Sequence, residues 1–167
     1  MGIAALLKEA NVARRSLYEH FGSKDELLAE ALRGTAVKDL ETYRAVMDAA
    51  GERPADRIMA IFDHLKTAVT AEGFRGCRYL GADLALQDPD HPAHAVAREY
   101  RAEVHRLIQD ELERLGRADP AYDAERIMLL IEGTLASATT RPEAGPVRIA
   151  AEFAATILRP EHDDVPA

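Results

Sequence analysis

The sequence predicts an all-α fold, and three observations carry that prediction. Apolar residues recur at three- and four-residue spacing along most of the 167 positions. Glycine, proline, asparagine and aspartate gather at short breaks between those stretches. No segment shows the convincing two-residue alternation of a half-buried strand, and no internal repeat is present. The composition agrees. It is 47% hydrophobic, only 5% aromatic and without Trp, which suits helices packed on helices and not a disordered chain.

Taken in order, Ile3, Leu6, Leu7 and Ala10 make Gly2 to Glu9 a short amphipathic helix, and Asn11 supplies a tight turn. A second helix starts at Ala13, with Ala13, Leu17 and Phe21 on its inner stripe and Arg15, Tyr18 and Glu19 pointing away. Two short helices joined by such a turn, the second cationic near its start, form a helix-turn-helix. Gly22 stops the second helix, and Ser23 with Glu26 makes a capping box for a third, expected from Lys24 to about Ala49. Its inward residues read as Leu27, Leu28, Ala31, Leu32, Leu40, Tyr43 and Val46 or Met47. Further helices are expected over Ala55 to Glu72, Cys77 to Leu86, Ala93 to Arg117, Ala121 to Thr140 and Gly145 to Leu158. These divide the chain into a head and connector helix at 1–48, a body at 49–160 and a flexible tail at 161–167.

Ile127 to Ile131 is apolar on most faces, as a helix is when more than its own subunit buries it. With the last helix it predicts a dimer interface through a four-helix bundle, using Ile127, Leu130, Ile131, Leu135, Phe153, Ala154 and Ile157. Met59, Phe62, Phe74, Cys77, Leu80, Leu84, Tyr100 and Met128 are candidates for the lining of a cavity among the middle helices, although helical spacing equally suits ordinary core.

The net charge of −8 argues at first against nucleic acid, but its distribution does not. Met1 to Lys24 carries +2, from Lys8, Arg14, Arg15 and Lys24 against Glu9 and Glu19, and the other 143 residues carry −10. An acidic body repels phosphate and leaves the small basic head to meet it. No apolar run approaches the roughly 18 residues that span a bilayer. The single cysteine, Cys77, forms no internal disulfide and fits a reducing cytoplasm as a small hydrophobe. Asp88, Asp90, His91 and His94 stand among two prolines and read as a turn with a capped helix, so no metal is expected. No phosphate-cradling glycine loop, nucleophile elbow or His–carboxylate pair points to an enzyme, and no cofactor is expected.

Leu17, Tyr18, His20, Phe21, Ser23, Lys24, Leu27 and Leu28 together resemble the head of the TetR family of bacterial transcriptional regulators. The body resembles that family in helix count and order, and through the stretch GCRYLGADLAL. The resemblance implies a homodimer that sets two recognition helices in successive major grooves of double-stranded operator DNA. It assigns Arg14, Arg15 and Ser16 to bases or adjoining phosphates, and Tyr18, His20 and Lys24 to the DNA backbone. It also implies a repressor released by a small-molecule effector. The effector would shift the helix near Cys77 to Leu86, swing the connector and spoil the groove spacing of about 34 Å.

Asn11 and Ala13 stand where the family's turn usually has Gly and then a Ser or Thr cap; the lost cap costs about 1 kcal/mol. The chain also begins at what the family pattern makes the second helix of the head. The expectation is therefore an N-terminally truncated head that binds DNA weakly or not at all, against tight binding by a form extended upstream. An all-α dimerisation or adaptor module without DNA binding stays open as the alternative, with an enzyme further behind.

Overall fold

The computed structural model describes residues 20–141 and 143–159, which form six helices and no strand. They are α1 (Lys24–Ala49), α2 (Pro54–Thr70), α3 (Arg78–Ala85), α4 (Pro92–Arg114), α5 (Pro120–Ala138) and α6 (Gly145–Ile157). The helix-turn-helix expected before His20, and the tail from 160, lie outside the described residues.

The ends of these helices follow from local chemistry. Pro54 and Pro120 occupy first-turn positions, where a missing amide hydrogen is no loss. Asp119 caps α5 by accepting the Tyr122 amide at 3.0 Å. α4 closes at Gly116, whose φ of 79° is left-handed. The Gly116 amide donates to the Glu113 carbonyl at 3.0 Å and the Arg117 amide to the Leu112 carbonyl at 3.1 Å. That pair satisfies carbonyls the helix itself leaves open.

The described residues divide into two compact units, 20–39 with 79–100 and 40–78 with 101–159, and α1 and α4 each contribute to both. In the first unit Ala29, Leu32, Ala36, Val96 and Ala97 are buried. Tyr79 stacks on Tyr100 with centroids 3.7 Å apart, and its hydroxyl donates to Asp39 at 2.8 Å. The inner stripe of α1 thus runs through Ala29, Leu32 and Ala36. Leu28 and Ala31, expected on it, are exposed because each precedes a buried residue by one position and so sits about 100° round the helix from it, both on the same side of the line.

In the second unit α5 packs against α6, and both pack against α2. Ile58, Ile61, Phe62, Leu65, Ile108, Leu112, Ile127 and Val147 are almost wholly buried there. One charged hub completes it. Arg57 donates to Glu111 at 2.7 Å and Asp48 at 2.8 Å, and to the Met47 and Gly51 carbonyls at 3.2 Å each. Glu111 also accepts from Arg114 at 2.6 Å. The hydrogen bond to Glu111, then that to Asp48, raises the Arg57 pKa above its ordinary value, so its charge is permanent. No described helix is long and apolar enough to cross a membrane.

Candidate nucleic-acid interface and the surfaces behind it

The start of α1 is built to present a cation. Gly22 takes a φ of 70°, a turn that L-residues with a Cβ resist. Ser23 then caps the helix. Its hydroxyl accepts the Glu26 amide at 3.0 Å and its carbonyl accepts the Leu27 amide at 3.2 Å. The serine half of the expected capping box is in place, while the Ser23 amide donates to the Phe21 carbonyl at 2.7 Å. Lys24, exposed at the first helical position, sets its ammonium where the helix dipole is positive. Together these groups suit one phosphate. His20 is exposed, with its ring edge-on to Phe21 at 5.3 Å, so it is a surface residue and not a packed one. Arg14, Arg15, Ser16 and Tyr18 lie outside the described residues.

The candidate cavity residues scatter. Phe62 and Met128 are 1% and 3% exposed, filling the core of the second unit, with Met59, Phe74 and Cys77 half-buried in the same unit. In the first unit Tyr100 lies under Tyr79. Leu80 is partly exposed and Leu84 is 78% exposed, which makes Leu84 a surface side chain and not a cavity wall. An eight-residue helix is too short for its period to fix which leucine faces inward.

The C-terminal pair divides in a way the sequence did not resolve. Ile127, Ile131, Ala154 and Ile157 are buried within the protomer and so back the outer face without forming it. They point at their own core because α2 covers that side. The outer face belongs to Leu129, Ile149 and Phe153, 59%, 50% and 60% exposed, with Leu130 half-buried beside them and Leu135 half-buried one turn on. Leu129, Leu130, Ile149 and Phe153, with Gly133, Ser137 and Pro146, line an open groove of about 480 Å³ between α5 and α6, and Leu135 is not part of its wall. Thr134, only 3% exposed, also lines it, and its hydroxyl has no hydrogen-bond partner among the described residues. An orphaned buried hydroxyl is costly, and Arg141 and Glu143 stand at the same groove beside its apolar wall.

Three features escaped the sequence reading altogether: Tyr79 on Asp39, buried His91, and His94 between Asp83 and Asp88. Only the position of His91 and His94 beside a proline turn could have hinted at the last two. Among the described residues no group of His, Cys, Asp or Glu is arranged to hold a metal.

Comparison with known proteins gives this geometry its context. The family model "Bacterial regulatory proteins, tetR family" matches residues 1–31. The HTH-type transcriptional regulator YjdC of Escherichia coli is 26% identical over 136 residues, 81% of this chain and 71% of that protein. The crystal structure of sav143 from Streptomyces avermitilis, described as a TetR transcriptional regulator, is 32% identical, with 93% of this chain and 87% of that one covered and a TM-score of 0.74. That of SCO4454, a TetR-family transcriptional regulator from Streptomyces coelicolor, is 25% identical, covering 95% and 84%, with a TM-score of 0.78.

Proposed function

The chain belongs to the TetR family of bacterial regulatory proteins, and we propose that it binds operator DNA as a homodimer and lets go when a small molecule enters its helical body. It is a transcriptional regulator. The observation that carries the DNA half is the Ser23-capped start of α1 with Lys24 exposed upon it, within the residues 1–31 that match the family. Lys24 and His20 neutralise or hold the DNA backbone with Tyr18. Arg14, Arg15 and Ser16 meet base edges, where Arg pairs bidentately with guanine. Such a role places the protein in the cytoplasm, with the chromosome.

The groove between α5 and α6 supports the homodimer. A second copy laid antiparallel would cover Leu129, Ile149 and Phe153 and bring a polar side chain within reach of Thr134. Within the second unit, an effector would part Phe62 and Met128 from the half-buried Met59, Phe74 and Cys77.

Fluorescence anisotropy on the protein's own promoter DNA, over a salt series, tests the reading. Lys24→Ala is expected to weaken binding about equally on all sequences and to reduce the slope of log affinity against log salt by about one. Arg14→Ala or Arg15→Ala is expected to cost about 1–3 kcal/mol on the operator and to relax its sequence preference. Promoter and unrelated DNA bound with equal affinity would overturn the proposal. Release of the DNA by a small molecule, read in the same assay, tests the effector half.

A further inference from the structure

His94, near the start of α4, stands between two acceptors in the first unit. Its Nδ1 lies 2.6 Å from Asp83 Oδ1 on α3, and its Nε2 lies 3.0 Å from the Asp88 carbonyl in the turn before α4. A neutral imidazole carries one N–H and can satisfy only one of these oxygens, whereas the imidazolium satisfies both. The side chain is 14% exposed, so water replaces neither contact cheaply.

The same turn carries His91, whose side chain is 6% exposed. His91 Nδ1 accepts the Ala93 amide at 3.1 Å, which places the ring proton on Nε2, 3.4 Å from Asp25 Oδ1. Asp25 is the second residue of α1, next to Lys24. The two imidazole rings lie edge to face with centroids 6.3 Å apart.

We propose that His94 is a proton-operated clasp. As the imidazolium it ties α3, the turn and α4 together, and through His91 it couples proton binding to the start of α1, so that DNA affinity depends on pH through this residue. The charged and titratable groups around it are Asp83 from α3, Asp88 and Asp90 from the turn, and His91 and Arg98 from its own segment; Asp25 of α1 faces His91. The hydrogen bond to Asp83 raises the His94 pKa above its ordinary value, burial and Arg98 oppose it, and the Asp88 carbonyl adds to it. A raised value means the clasp is fully closed below about pH 6.5 and opens as pH rises through the folded-state pKa.

The link to DNA rests on the regulator reading, so the test has two arms. In the first, NMR follows the His94 ring from pH 5 to 9, on the order of two units either side of its ordinary range, in the full chain and in Asp83→Asn. Thermal midpoints are taken at the same pH values, with His94→Gln added. A His94 pKa above the ordinary value, falling in Asp83→Asn, and a midpoint whose decline with rising pH flattens in both variants, are the expected results. His94 titrating at its ordinary value, or variants that keep the full pH profile, overturn the clasp. In the second arm, operator affinity is measured over the same range. A change of about fivefold in the full chain, in excess of that in His94→Gln, is expected. Because His94→Gln retains His20, any pH dependence from an imidazole at the DNA backbone is common to both proteins. Equal pH dependence of operator affinity refutes the coupling. Loss of all DNA binding with the NMR shift intact counts against the regulator reading and leaves the clasp standing.

Discussion

Replacing Phe153 by Ala tests the dimer at the point where the structure gives a magnitude. Phe153 lies 60% exposed on α6 at the groove between α5 and α6. A phenylalanine carries roughly 150–200 Å² of buriable surface, so covering the exposed part removes on the order of 100 Å² from water. At about 25 cal/mol per Å² this is about 2.5 kcal/mol per copy and about 5 kcal/mol for the symmetric pair. Ala keeps a methyl group, so the expected loss is about 4 kcal/mol, which weakens the dimer dissociation constant by about 10³-fold. The subunit itself does not suffer, because the site is exposed and Ala is the better helix former. Sedimentation velocity over a dilution series reads the constant directly, with circular dichroism confirming an unchanged helix content. A dissociation constant within about threefold of the parent protein, a difference below 1 kcal/mol, would refute the assignment of this face.

Two further substitutions probe what holds the subunit. Arg57→Met leaves Glu111, 5% exposed, with Arg114 alone and strips two carbonyls of their donor. The expected loss is about 2–3 kcal/mol in urea unfolding, below the roughly 3–5 kcal/mol of a fully isolated buried charge. An unchanged urea midpoint would remove the hub from the account of stability. Gly116→Ala meets no neighbouring atom within 4 Å, so only the φ of 79° opposes it. A loss of about 1 kcal/mol is expected from that backbone conformation, and a gain in thermal midpoint would contradict it.

Where the sequence was legible, the signal was local. Ser23, Pro54, Gly116, Asp119 and Pro120 each act within a few residues of themselves, and each marks a helix end within a turn of the observed one. Which face of a helix meets what depends on distant elements, and there the reading failed. Ile127 to Ile131 is apolar on most sides, so periodicity could not tell the side covered by α2 from the side left open. Ile127 and Ile131 turned inward, and Leu129 and Leu130 turned out. Thr134 continues the inner line at 124, 127, 131, 134 and 138, so a polar residue on a buried stripe was the one available clue. The His94 contacts were illegible for a related reason. Asp83 is eleven residues away across a turn, and no helical spacing predicts that pairing.

The two ends of α1 are held by different chemistry, and the difference decides what each end can do. The last turn is gripped by Arg57, whose guanidinium takes the Met47 and Gly51 carbonyls and keeps its charge at every accessible pH. The first turn meets His91, on a turn whose tie to α3 and α4 runs through the His94 imidazole, whose pKa the hydrogen bond to Asp83 raises above its ordinary value. Loss of a proton can therefore loosen the start of the helix, beside Lys24, while its last turn stays fixed. It follows that Arg57→Met should lower stability by the same amount at pH 6 and pH 8.5. The effect of Asp83→Asn should be larger at the lower pH than at the higher, because the imidazolium that Asp83 holds is lost as pH rises through the raised folded-state pKa. Urea midpoints for the two variants at the two pH values separate a permanent anchor from a switchable one, and parallel losses for both would show that α1 has no switchable end.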